Sequence, residues 1–213
     1  MIADTAKYWN HNVHYQSLVV DAVPAGCQAA LDVGCGDGLL ACKLADRCAA
    51  VTGIDRDGPM IAAARERARQ GTTSPDGTTS LMSPPPEFIE ADFMTYPFAA
   101  GSYDFVCANT SLHHMDFGAA LAQMAWLLRP GGRLVAVGLG DHGSPADWLI
   151  DVIGIPVNLY YKLTRTEGNS GAPVMAPGMT WGQARATARN VLPGVRYRRH
   201  LLWRYSLQWT KPA

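Results

Sequence analysis

Leu31-Asp32-Val33-Gly34-Cys35-Gly36-Asp37-Gly38 is the stretch on which the fold turns. The apolar run Ala29 to Val33 is short enough for a buried strand. Leu39 to Asp46 then puts Leu40, Ala41 and Leu44 at helical spacing. Strand, glycine-rich turn and helix together form a nucleotide-type binding corner. Glycine lets the backbone turn sharply and lets a ligand reach the main chain without meeting a Cβ. The helix N-terminus behind it offers free N–H groups and partial positive charge. In the dinucleotide fingerprint Gly-x-Gly-x-x-Gly the third glycine falls one residue later than here, so that class of ligand is disfavoured without being excluded.

Strands and helices alternate outward from this corner. Ala50 to Asp55 reads as a second strand that ends in an acid 17 residues beyond Gly38, the mark of a βαβ unit. A carboxylate at such a strand end can accept hydrogen bonds from both hydroxyls of a ribose. Asp57 caps the next helix, with Pro59 in its first turn. Glu87 to Ala91 forms a third strand running into Asp92-Phe93. Tyr103 to Ala108 forms a fourth, followed by Asn109-Thr110-Ser111-Leu112-His113-His114-Met115. Asp116 to Leu128 is an amphipathic helix, Arg129-Pro130-Gly131-Gly132 a turn, and Arg133 to Gly138 a fifth strand. Thr180 caps a last helix through Val191. The final strand alternates Trp203, Tyr205, Leu207 and Trp209 with polar residues, and the period of two marks that aromatic stripe as core.

Leu-Asp-Val-Gly-Cys-Gly-Asp-Gly at 31–38, Asp55, Asp92, the Leu-His-His at 112–114 and Leu-Arg-Pro-Gly-Gly-Arg-Leu at 128–134 occur in the order of the class I S-adenosylmethionine-dependent methyltransferases, which the chain resembles over 29–138. The resemblance implies an α/β fold, a doubly wound Rossmann-like sheet of seven strands. That sheet is mostly parallel, with one antiparallel strand near the C-terminus and helices on both faces. It implies S-adenosylmethionine as cofactor, S-adenosylhomocysteine as product, and no metal. The loop of Asp32, Gly34, Cys35, Gly36 and Gly38 would wrap the amino-acid end of the cofactor. Asp55 would take the ribose, Arg56 and Met60 would flank the adenine, Asp92 would accept its amino group and Phe93 would border the ring. Backbone at Asn109 and Thr110 would face the sulfonium. His113 and His114 stand where a general base would serve, although either could simply position the loop. Asn109-Thr110-Ser111-Leu112 is not the Asn/Asp-Pro-Pro-Tyr segment of enzymes that methylate DNA adenine or protein glutamine, and a compact chain without an appended nucleic-acid-binding domain makes a small-molecule acceptor the leading expectation. An RNA methyltransferase, a cofactor-binding module without turnover and a dinucleotide-dependent oxidoreductase remain as alternatives.

The 213 residues suit one α/β domain, with 48% apolar and 17% charged residues. Residues 1–22 are expected to form a helical lid in which Tyr8, His11 and Tyr15 share one face toward the acceptor. Residues 71–86, rich in Gly, Pro, Ser and Thr, are expected to be a flexible insertion, and 141–179 a variable acceptor-side cap. No apolar run approaches the roughly 18 residues of a membrane span. The five cysteines form no Cys-x-x-Cys pair, and the N-terminus lacks a secretion pattern; both point to the cytoplasm. All 18 acids lie at or before Glu167, whereas seven of the 18 bases follow it. That tail is either a solvated, neutralising face or an Arg-rich surface for RNA.

Overall fold

The computed structural model describes residues 8–9, 11–73, 79–80, 84–143, 166–167, 178–200 and 202–213. Most of the expected cap at 141–179 and part of the low-complexity stretch at 71–86 lie outside them. Seven strands build one sheet: β1 (Ala29–Val33), β2 (Ala50–Asp55), β3 (Glu87–Glu90), β4 (Tyr103–Asn109), β5 (Leu128–Leu139), β6 (Arg196–His200) and β7 (Arg204–Thr210). Their order is β6-β7-β5-β4-β1-β2-β3. Every neighbouring pair is parallel except those made by β7, which runs antiparallel to both β5 and β6. The expected fold, with its single reversed strand, is the one observed.

Among the described residues the α-helices are α1 (His11–His14), α2 (Gln16–Asp21), α3 (Leu39–Leu44), α4 (Gly58–Gln70), α5 (Phe117–Leu127) and α6 (Trp181–Val191). The sheet has apolar clusters on both faces. Leu31, Val33, Val106 and Ala108 join α5 and α6 on one side. Ala30, Phe105 and Cys107 join α2, α3 and α4 on the other. Full burial of side chains such as Leu31 and Phe105 stabilises by about 1.5–3 kcal/mol each. Local chemistry fixes the helix starts. Asp57 accepts from the Met60 N–H at 3.1 Å, and Asp116 from the Ala119 N–H at 2.8 Å. Thr180 and Gln183 close a reciprocal capping box. At the end of the sheet away from the glycine loop, the Asp104 carboxylate accepts from the N–H groups of Gln28 and Ala29 and from Arg129, which ties β1 to β4.

Three expectations need correction. Tyr8, His11 and Tyr15 do not share one helix face. Tyr8–Trp9 pairs in parallel with Thr166–Glu167, and the helix breaks at Tyr15, which leaves the helical ladder and buries its ring beside His14 and His200. The side chains of Tyr8 and His11 lie outside the described residues. The first helix after the glycine loop ends at Leu44, two residues before Asp46. The Arg129–Gly132 segment belongs to β5, because Gly131 and Gly132 exchange backbone hydrogen bonds with Lys211 and so extend the ladder. All five cysteines are buried and free. Among the described residues no helix is long and apolar enough to cross a membrane.

Gly38 sits at φ +75°, and a Cβ there would come within 2.8 Å of Ala64 Cβ and of the Phe88 ring. Gly38→Ala is therefore expected to cost about 1–3 kcal/mol, from the left-handed backbone together with the clash. Urea unfolding measures it; an unchanged midpoint would mean that α4 yields.

Candidate functional site

The site is built at the C-terminal ends of the parallel strands, where open α/β sheets bind ligands. Between β1 and α3 the chain passes through Gly34, Gly36 and Gly38, all at positive φ. A Cβ on Gly34 would strike the Ser111 side chain, so the loop after β4 packs directly on the loop after β1. Nothing stands within 4 Å of where a Cβ on Gly36 would be. That open cradle is the shape a cofactor lying against the main chain requires.

The loop is held by the end of β2. The N–H groups of Gly34 and Cys35 share the carbonyl of Ile54, at 2.8 and 3.1 Å. Asp55 Oδ2 accepts from the Gly36 N–H at 2.9 Å, and Oδ1 from the Asp57 N–H at 3.0 Å. An ionised carboxylate has about four acceptor sites, so two remain for hydroxyl donors. Asp37 pairs with Arg67 at 2.6 Å, locking the loop onto α4.

Asp32 is 1% exposed and lies below the loop. Its Oδ1 accepts from the Cys107 thiol, and its Oδ2 has no hydrogen-bond partner among the described residues. Burial, reinforced by the charges of Asp55 and Asp37 and opposed by the thiol bond, pushes its pKa up to about 7. An acceptor atom orphaned under a ligand loop suits a cofactor that brings a cationic or donor group. Cys35 is buried, and burial pushes its thiol up as well.

The other expected residues divide into two sets. Arg56 is exposed and Met60 half-buried beside Asp55. The Asp92 carboxylate accepts from the Met94 N–H at 2.8 Å within its own turn, and the side chain is exposed. Phe93 differs from its expected place at a ligand's edge. Its ring is 3% exposed and packs on Phe98 in the core, because α5 covers that side of the loop. Asn109 ends β4. Thr110 follows at φ +63°, with its N–H on the Val137 carbonyl at 2.7 Å and its buried Oγ1 unpartnered among the described residues. A threonine held in the left-handed region is strained, and such strain gathers at functional sites.

His113 and His114 lie on a 3-10 turn, Leu112–His114, that is pinned by the Ser111 hydroxyl donating to the Val33 carbonyl. Their ring centroids are 4.0 Å apart. Burial pushes His113 down to about 4, helped by His114 and Arg204. Burial also lowers His114, with Arg56 adding and Asp55 opposing. The charges acting on the two imidazoles thus differ: Arg56 and Asp55 on His114, Arg204 on His113. His113 Nδ1 is buried and unpartnered among the described residues.

Two contributors were not expected from sequence. Ser111 couples the two loops and is recognisable only from Gly34's need for a close neighbour. Arg204, one of the polar alternates to the aromatic stripe, is 6% exposed. The stripe predicts that such residues face water, but the second face of the sheet is covered too. The basic tail is accordingly divided. Arg185, Arg189, Arg196 and Arg198 are exposed, Arg199 lies 4.3 Å over the Trp181 ring, and Lys211 donates to the Leu128 carbonyl.

A methyltransferase-domain family profile matches residues 31–136. An uncharacterized methyltransferase of Mycobacterium tuberculosis is 33% identical over 207 residues, 96% of this chain and 98% of its own. The O-methyltransferase cnsE of Penicillium expansum is 41% identical over 125 residues, 57% of this chain and 42% of its own. Among solved structures, a SAM-dependent methyltransferase of Methanosarcina mazei superposes with a TM-score of 0.61 at 18% identity, covering 96% of this chain and 98% of that one. The protein belongs to the class I S-adenosylmethionine-dependent methyltransferases.

The raised pKa of Asp32 makes a signed prediction. The folded state binds its proton more tightly than the unfolded chain does. Stability from this group is therefore complete below about pH 4 and is lost as pH rises through about 7. Asp32→Asn removes the titration. Urea unfolding at several pH values is expected to show the variant gaining on the parent protein between pH 4 and 7 and levelling off above. A constant difference would mean that Asp32 is charged throughout.

Proposed function

We propose that this methyltransferase, as one domain spanning residues 1–213, transfers the methyl group of S-adenosylmethionine to a nucleophilic atom of a small-molecule acceptor by in-line displacement. The observation that carries the cofactor assignment is the Asp55 carboxylate. It is engaged by Gly36 and Asp57 on its inner side and has acceptor capacity left for the two ribose hydroxyls. The open space at Gly36 takes the methionyl arm against the loop of Gly34, Cys35 and Gly38. The unpartnered Oδ2 of Asp32 takes a donor from the amino-acid end, directly or through water. Arg56 and Met60 border the adenine, and the exposed Asp92 accepts from its amino group. Phe93 serves through its backbone N–H, its ring being core.

When bound, the cofactor supplies an electrophilic methyl group and a neutral thioether leaving group. What the chain supplies is position and a dry surface. Asn109 and the strained Thr110 present the end of β4 toward the sulfonium. Beside them the adjacent imidazoles of His113 and His114, both held toward the neutral form by burial, are the groups to take the proton of the incoming nucleophile. No metal is assigned a part. A small acceptor is supported by the inward turn of Arg204 and Lys211, which leaves the basic tail in separate pieces rather than as one track for RNA.

Calorimetric titration tests the cofactor half: S-adenosylhomocysteine is expected to bind at micromolar concentration and NAD not at all. Asp55→Ala is expected to weaken that binding by about 1–3 kcal/mol. Unchanged affinity would remove the ribose assignment. For the chemistry, His113→Ala is expected to leave S-adenosylhomocysteine binding intact and to lower kcat/KM by about 10²–10⁴. His114→Ala is expected to have the smaller effect. Full activity in both variants would end the general-base role.

A further inference from the structure

The end of the sheet away from the glycine loop brings two thiols together. β1 and β2 pair in parallel with Ala29 opposite Ala50. The same register carried back two residues sets Cys27 opposite Cys48. The backbone follows it: the Ala49 N–H donates to the Cys27 carbonyl and the Ala50 N–H to the Gln28 carbonyl, both at 3.0 Å. Neighbouring strands lie about 4.8 Å apart, and a disulfide spans Cα separations of about 4.4–6.8 Å. The side chains meet as well. The Cys48 thiol donates to the Cys27 sulfur, and both residues belong to one apolar cluster.

The two sulfurs are not equivalent. The bond from Cys48 lowers the Cys27 thiol, the Ala29 N–H and the Arg129 charge help, and burial and Asp104 oppose. Cys48 is raised by the same bond and by burial. Cys27 is therefore the sulfur disposed to act as thiolate, and Cys48 the one that keeps its proton. The pair lies at shallow depth. Cys27 and Cys48 are buried, but Gly26, Gln28, Arg47 and Ala49 on either side of them are exposed. Asp104 and Arg129, which flank the pair, are joined in an ion pair that solvent reaches. The other thiols are placed differently. Burial raises Cys35, Cys42 and Cys107, and Cys107 is already committed to the Asp32 carboxylate.

We propose that Cys27 and Cys48 are a redox modification site, joined by a reversible disulfide when the protein meets hydrogen peroxide. The Cys27 thiolate attacks one oxygen of the peroxide and the O–O bond breaks. The leaving hydroxide takes up the proton that Cys27 released and becomes water. Cys48 then gives up its proton as its sulfur attacks the Cys27 sulfenic acid, and the S–O bond breaks with release of a second water. Two thiols are oxidised to one S–S bond, and one peroxide is reduced to two waters. The bridge closes β1, the whole glycine loop and α3 into one covalent ring, and so staples together the strands that carry the loop and Asp55.

The test treats the folded full chain with hydrogen peroxide, alkylates it in denaturant and maps it by mass spectrometry. Free thiols are expected to fall from five to three, with the Cys27 and Cys48 peptides linked, and dithiothreitol is expected to restore all five. Cys48→Ser is expected to lose the link and to leave Cys27 as the oxidised residue. Cys27→Ser is expected to keep all its remaining thiols reduced. Should a serine variant not fold, Cys27→Ala and Cys48→Ala make the same comparison. Five thiols surviving a peroxide dose that oxidises free cysteine overturns the proposal. So does a link between any other pair, oxidation of Cys27 in the native chain without a link, or thiol loss that persists in Cys27→Ser.

Discussion

The bond from the Gly36 N–H to the Asp55 carboxylate, with the paired donation of Gly34 and Cys35 to the Ile54 carbonyl beside it, sets the geometry of the ligand end. A loop whose turning residues are glycines has no side chain to pack at those three positions and loses much backbone entropy on ordering. The neighbouring strand supplies what the loop lacks. A charged acceptor makes a stronger hydrogen bond than a neutral one, and the same carboxylate also receives Asp57 at the head of α4. One side chain therefore registers the first loop, the second strand and the following helix against one another. The carboxylate proposed for the ribose is part of the scaffold that shapes its own site.

The loop after β4 is fitted to this arrangement from the other side. Ser111 fills the space beside Gly34 and donates to Val33, and the 3-10 turn carrying both histidines follows at once. Thr110 takes up the remaining mismatch as a left-handed residue. Two loops that are far apart in sequence thus form a single rigid rim, as positioning catalysis demands.

The charge on that rim is polarised. Asp32, Asp37 and Asp55 lie under and beside the glycine loop, while Arg204, His200 and Arg198 lie at the β6–β7 hairpin. His114 and His113 stand between, with Arg56 and Asp55 acting on the first and Arg204 on the second.

The amino-acid sequence by itself determined what depends on residues near one another in the chain. The glycine spacing at 34–38, the acid at the end of the second strand and the caps at Asp57 and Thr180 all express local backbone rules, and each stands where those rules put it. Tertiary structure alone decided what depends on distant partners. Tyr15 broke a helix because its ring was buried against His200, and the Arg129–Gly132 turn joined β5 because Lys211 paired with it. The Phe93 ring lies in the core because α5 packs over that side of its loop. Arg204, which a half-exposed strand would show to water, was buried because helices pack on both faces of this sheet. Periodicity tells which residues share a face. Only the packed fold tells what covers that face.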